Sequence, residues 1–280
     1  ELKDVFALQE ETALKIAEAL NLRLSPLEQQ AVQRRYTDNP AAYDAYLRGQ
    51  ALVEYFTDPE KLEAARGHFE QALRLDPDYA LALAGLSTVN AQYHRNIDPN
   101  PARLQRAEEL AQRALTLDPQ LTRAHIALGQ VYGNRYDYVR AAEIFREAIR
   151  LDPKDSYAWD LLSWALGYQQ TPDAREAEEA AREALRLQPN FPGAYYHLGR
   201  ALLLEHRYEE AIGAFKHCLE LSPDIVMGSY GLAQVYLAQE AYDRALAEWN
   251  KSGGLRKSAV GFALLGSIYA AQDKKENALA

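Results

Sequence analysis

Thr122–Pro153 reads TRAHIALGQVYGNRYDYVRAAEIFREAIRLDP. Its apolar and small residues recur at helical spacing, which predicts two amphipathic helices joined by a tight turn near Tyr136–Asp137. The closing phrase Leu151-Asp152-Pro153 returns at Leu75–Pro77 and at Leu117–Pro119. Worn copies stand at Leu187-Gln188-Pro189 and Leu221-Ser222-Pro223. Pro119 to Pro153 is 34 residues, and so is Pro189 to Pro223. A fixed period of this length predicts a stacked array of helix-turn-helix units, none of which buries its apolar face alone.

Composition narrows the classes of function. The 280 residues would suffice for two globular domains, but an array is not bounded by one core. Lysine plus arginine total 31 against 40 aspartate plus glutamate, a formal net charge of −9. Such a chain has no general attraction for phosphate, which argues against nucleic acid and anionic membranes as partners. One cysteine permits no internal disulfide, so packing must hold the fold. No apolar run approaches the ~18 residues of a membrane span, so no membrane insertion is expected. The chain begins Glu-Leu-Lys, without methionine or a signal-like segment, and stops within a repeat, which reads as a piece of a longer protein. The cytoplasm is the default compartment.

Asp4 is expected to cap a first helix, and Ser25-Pro26-Leu27-Glu28 a second: cap, proline at the first helical position, glutamate reaching back. Residues 1–39 then form a helical cap or linker, and 40–280 an array of about six and a half repeats. These run approximately over 41–77, 78–119, 120–153, 154–189, 190–223, 224–257 and a truncated 258–280, the last cut off inside its second helix. Asn39-Pro40 and Asp58-Pro59 start helices. The second repeat is eight residues over the period, with Asn96–Pro101 marking the excess, and Thr171-Pro172 marks a smaller insertion in the fourth. Small residues pair across each unit: Gly49 with Ala65, Gly129 with Ala141, Ser163 with Ala177, Gly199 with Ala211, Ala233 with Ala245 and Gly266 with Ala278. A larger side chain where two helices cross would overpack by roughly 1–3 kcal/mol. Phe69, Phe145, Phe215 and Trp249 are expected to fill space towards the next unit.

A search for chemistry finds no catalytic set and no cofactor site. Six histidines are scattered, without HExxH, paired Cys-x2-Cys, GxGxxG or a P-loop, so no metal site is expected. Cys218 occupies a niche where other repeats have Ala72, Ala148 and Ala184, which reads as a buried alanine substitute. His125 and His197 read as packing or surface-lining residues.

In the opening stretch His125, Leu128, Gly129, Tyr132, Ala141, Phe145, Ala148 and Pro153 fall where the tetratricopeptide repeat places its signature, and the match recurs from about Ala41 onward. The sequence thus resembles that family. The resemblance implies an all-α solenoid, a right-handed superhelix, whose first helix in each unit lines a groove for a protein or peptide partner. Carried over position by position, the groove comprises Ile126, Gln130 and Asn134; Tyr157, Asp160, Trp164 and Tyr168; Tyr196, Arg200 and Leu203; Tyr230 and Gln234. The lysine–asparagine–arginine clamp of the chaperone-tail branch is missing: fifth and ninth positions read Ala84/Thr88, Ile126/Gln130, Asp160/Trp164 and Tyr196/Arg200. The function implied is a non-catalytic interaction scaffold. The alternative is a self-association module acting through its N-terminal helices or open last repeat.

The opening DVFALQEETALKIAEALNLRLSP, with NPAAYDAYLRGQALVEY, also resembles the junction between a TolB-like domain and its repeats. That arrangement occurs in bacterial multidomain signalling proteins carrying adenylate-cyclase, protein-kinase or winged-helix modules. The resemblance implies the regulatory C-terminal part of such a protein and leaves a periplasmic placement open. No residue of a cyclase or kinase active site lies in the chain.

Overall fold

The computed structural model describes residues 35–53, 58–223, 226–253 and 259–279, together with 11, 12, 15, 16 and 19. The capping turns expected at Asp4 and Ser25-Pro26 lie outside the described residues. From Pro40 the helices are α1 (Pro40–Leu52), α2 (Pro59–Leu75), α3 (Ala80–Asn96), α4 (Pro101–Leu117), α5 (Thr122–Asn134), α6 (Tyr138–Leu151) and α7 (Ser156–Gly167). They continue as α8 (Ala174–Leu187), α9 (Pro192–Leu204), α10 (Tyr208–Leu221), α11 (Val226–Ala238), α12 (Tyr242–Lys251) and α13 (Ala259–Leu279). No strand occurs among the described residues. The architecture is an all-α solenoid. Two compact units divide it, 1–131 and 132–280, and α5 crosses the division. In the first, α1 packs on α2 and α3; in the second, α7 packs on α8 and α9, α9 on α10 and α11, and α11 on α12 and α13.

The Leu-Asp-Pro phrase ends a helix and starts a turn. Asp76, Asp118 and Asp152 are extended C-caps whose N–H groups donate to Ala72, Ala114 and Ala148. Their carboxylates turn back and accept from the N–H two residues on, in Asp78, Gln120 and Lys154 (3.0–3.3 Å). The intervening proline has no N–H to leave unsatisfied, so the phrase is an Asx-turn with its breaker built in. Gln188 and Ser222 make the same C-cap bond. The other caps follow the sequence: Asn39 accepts from Ala41 and Ala42, Asp58 from Glu60, Asp155 from Tyr157 and Ala158, and Asp173 from Glu176.

In the third, fifth and sixth repeats the first helix ends in one left-handed residue. Tyr136, His206 and Glu240 have φ of 64°, 59° and 58°. Behind each, the next N–H reaches five residues back: Asp137 to Tyr132, Arg207 to Leu202 and Ala241 to Tyr236, at 2.9–3.0 Å. This closes the last turn and satisfies carbonyls the helix would otherwise orphan. The turn expected at Tyr136–Asp137 is present, and Asp137 caps α6 by accepting from Arg140.

The interior is built on rings between glycines. In the first unit Phe69 is wholly buried, and a methyl group on Gly49 or Gly85 would come within 2.9 or 2.6 Å of it. In the second unit Phe215 is held likewise by Gly199 (2.7 Å) and Gly231 (2.3 Å). The expectation that these rings fill space towards the next repeat holds. At Gly49 and Gly199 a larger side chain would overpack, as expected, and the group it would meet on the opposing helix is the phenylalanine ring.

Two expectations change. The eight extra residues of the second repeat mostly lengthen its helices: α3 and α4 have 17 residues each, against 13 and 14 in α5 and α6. The seventh unit was expected to turn and begin a second helix. Instead Ala259–Leu279 is one helix of 21 residues. Residues 271–277, AQDKKEN, contain neither glycine nor proline and propagate a helix readily. Gly266 and Ala278 therefore lie about 18 Å apart along one axis, and nothing lies within 4 Å of a methyl group on Gly266.

Candidate functional site

Helices α7, α9 and α11 lie side by side in the second unit. Together they contain a single acidic residue, Asp160, and a single arginine, Arg200. The even-numbered helices are different. Arg182–Glu178 and Arg186–Glu183 pair along α8, His217–Glu220 along α10 and Lys251–Glu248 along α12, while Arg146 of α6 reaches Glu176 of α8 at 2.7 Å. Charge is thus concentrated on the second helix of each repeat and neutralised there.

Of the expected groove residues, Asn134, Tyr157, Tyr168, Arg200, Leu203 and Gln234 are half-buried. Ile126, Gln130, Asp160, Trp164, Tyr196 and Tyr230 are buried. Their placement as exposed contact residues is corrected by packing. Trp164 lies edge-on to Tyr138 with centroids 5.7 Å apart, and a methyl group on Gly133 would meet its ring at 2.3 Å. Tyr196 rests on Phe215, with centroids 5.7 Å apart. Packing carries these rings under the surface, Trp164 against the preceding repeat and Tyr196 within its own. Tyr168, Arg200, Leu203 and Gln234 remain partly exposed beside them.

Asp160 is wholly buried and accepts from His197 Nδ1 at 2.7 Å. The bond joins the fifth position of one repeat to the sixth of the next. The sequence reading placed each residue but missed the pairing, which a one-repeat register comparison would have revealed. Cys218 of α10 is fully buried, as a substitute for alanine should be. Burial first, and the Asp160 charge second, push its thiol up to about 12. His125 repeats a structural role: its Nε2 donates to Pro119 O at 2.9 Å, as the Trp159 indole donates to Pro153 O at 2.9 Å.

Arg200 stacks over Tyr168, with its guanidinium carbon 3.7 Å from the ring centroid. One Nη2 hydrogen bond goes to Gly167 O at the end of α7, 3.2 Å away. Its Nε is shielded from water and has no hydrogen-bond partner within the chain; the same is true of Gln234 Oε1, one repeat on. The Tyr168 and Tyr196 hydroxyls are 3.3 Å apart. Burial holds the Tyr196 and Tyr230 phenols above their ordinary range. Among the described residues no three His, Cys, Asp or Glu side chains converge as metal ligands, and no helix is long and apolar enough to cross a membrane.

Residues 102–156 and 192–225 match sequence models of the tetratricopeptide repeat. Over those two stretches the chain carries tetratricopeptide repeats. Their curated relatives include a Rhizobium meliloti protein bearing the name adenylate cyclase 3, 31% identical over 129 residues, 45% of this chain and 22% of that protein. The peroxisomal targeting signal receptor of Saccharomyces cerevisiae is 28% identical over 118 residues, 42% of this chain and 18% of that one. The chain thus spans less than a quarter of the length of either relative. Among solved structures, the solenoid resembles PilF of Pseudomonas aeruginosa, with a TM-score of 0.56 at 19% identity over 81% of this chain and 97% of that one. It also resembles a chain of the APC/C Cut9–Hcn1 hetero-tetramer, with a TM-score of 0.63 at 18% identity over 95% of this chain and 53% of that one. At these identities the likeness carries the fold alone.

Proposed function

We propose that the chain is a non-catalytic protein-interaction scaffold that holds a peptide segment of its partner along α7, α9 and α11. The observation that carries this reading is the asymmetry of the two helix sets. Second helices are charged and self-paired; first helices are aromatic and nearly free of charge, with one arginine. Protein-binding surfaces differ from other surface in this sense: charged residues are depleted at the centre, and tyrosine, tryptophan and arginine are enriched. Trp164, Tyr196 and Tyr230 form a rigid floor; Tyr157, Tyr168, Arg200, Leu203 and Gln234 make contact. The reading takes 40–280 as the array and 1–39 as its connector, within a larger bacterial signalling protein of the cytoplasm. The relative named as a cyclase is consistent with that setting, and the one named as a targeting-signal receptor with recognition of a short segment.

The test is a photo-reactive phenylalanine analogue placed in turn at Leu203, Gln234 and, on the exposed side of α10, Lys216. Peptides selected from a random library on the purified chain should cross-link from the first two positions and not from the third. Selection of no peptide, or cross-linking from Lys216 alone, overturns the reading.

One observation favours self-association instead. Val260, Phe262 and Tyr269 of α13 are 56%, 58% and 51% exposed. Under that reading, sedimentation equilibrium would show a mass rising with concentration, and Phe262→Ser would abolish the rise.

A further inference from the structure

Among the described residues Arg200 is a cation without a carboxylate partner. Helices α7, α9 and α11 offer only Asp160, and His197 bonds to that carboxylate. The Tyr196 hydroxyl is a hydrogen-bond partner of the guanidinium but not an anion, because burial holds the Tyr196 and Tyr230 phenols above their ordinary range. The Gly167 carbonyl takes one N–H. The end of α7 behind it supplies a partial charge of about −0.5, which offsets the cation only in part. Two other half-buried arginines find carboxylates: Arg66 with Glu63 and Glu70, Arg207 with Glu178, Glu205 and Glu210. A shielded arginine left without one departs from the pattern of its own chain. It is also costly, since a desolvated charge is normally paired.

We infer that Arg200 receives an acidic side chain, aspartate or glutamate, from the bound partner segment. This rests on the reading of α7, α9 and α11 as the binding strip. Arg200 is half-buried as a residue, so a carboxylate approaches the outer edge of the guanidinium while Tyr168 holds the plane from below. The stack and the Gly167 bond fix the side chain before binding, so little rotamer entropy remains to be lost. An internal side chain fits better than a chain end. A terminal carboxylate brings a bare backbone terminus to be bracketed by lysine and asparagine, and the neighbouring fifth and ninth positions supply Asp160, Trp164, Tyr196 and Gln234 instead.

A library of N-acetylated, C-amidated decapeptides, panned on the parent chain, tests this without any terminal carboxylate. The selected peptides should share an aspartate or glutamate at one register. Exchange of that residue for its amide should weaken binding to the parent about tenfold or more. The same exchange should change nothing on Arg200→Gln, once circular dichroism shows that variant folded, and should retain part of its effect on Arg200→Lys. On the parent alone, the peptide acid-to-amide exchange followed by the Arg200 side-chain NMR resonance gives a readout that needs no substitution in the chain. Selected peptides without an acidic register, or an acidic preference that survives in Arg200→Gln, overturn the inference and leave the binding strip standing. Selection of no peptide at all overturns both. Peptides that bind only with a free C-terminus overturn the side-chain assignment in favour of a terminal carboxylate.

Discussion

The Phe215 ring occupies the space that any side chain on Gly231 would need: a methyl group there would lie 2.3 Å from the ring. Phe215 belongs to one repeat and Gly231 to the next, so the contact is part of the joint between them. Gly231→Ala is expected to cost about 1–3 kcal/mol by overpacking. Gly213, on the exposed side of α10, has nothing within 4 Å. Gly213→Ala should stabilise by up to about 1 kcal/mol through helix propensity. Urea denaturation of the two variants should give shifts of opposite sign.

Tyr136 adopts φ of 64° with its side chain 81% exposed. A left-handed conformation costs a side-chain-bearing residue roughly 1–2 kcal/mol, a cost glycine does not bear. Tyr136→Gly should therefore raise the melting temperature, since the loss of an exposed ring and the added freedom of the unfolded chain offset only part of the gain. Tyr136→Val should lower it. A scan of the purified variants decides between the signs.

Cys218 should be inert in the native chain. With the thiol fully buried and pushed up to about 12, almost none is thiolate at pH 8. Thiol titration should find no reactive group until denaturant is added, and then one. The folded pKa lies above the unfolded one, so this group's contribution to stability is fully present below about pH 8.5, the ordinary range of a free thiol, and is lost as pH rises towards the folded value. Cys218→Ala should remove that part of the alkaline destabilisation.

Asp160 relies on His197 for one of its donors. His197→Ala should cost about 1–3 kcal/mol, because the wholly buried carboxylate loses a hydrogen bond with little water to replace it. The double variant Asp160→Leu with His197→Leu should recover much of that loss, since a buried polar pair is often replaceable by apolar packing. A double-mutant cycle in urea measures the coupling.

The fold was legible because its punctuation is chemical. Leu-Asp-Pro marks the Asx-turn at three repeat ends, and a 34-residue interval between prolines is visible without structure. The continuous α13 was not legible. A sequence read against a repeat expects a turn where the last period should place one, and AQDKKEN has no residue that forbids or demands it. The depth of the expected groove residues was not legible. Trp164 and Arg200 hold the same place in successive repeats, yet one is buried beside Gly133 while the other stays half-buried over Tyr168. That difference depends on the space left by residues from other helices. The Asp160–His197 bond was hidden for the same reason: it links residues 37 apart through the register of two stacked helices.

In the second unit each helix from α6 to α13 leans on its immediate neighbours along the chain, and α7, α9, α11 and α13 also lean on one another in succession. An applied force therefore meets a series of similar joints rather than one clamp. Tension at the C-terminal end would peel the helices away in sequence order, each departure exposing the next joint to the same load. Mechanically, that half of the molecule should behave as a soft spring with many small yield points, able to give up a repeat and take it back.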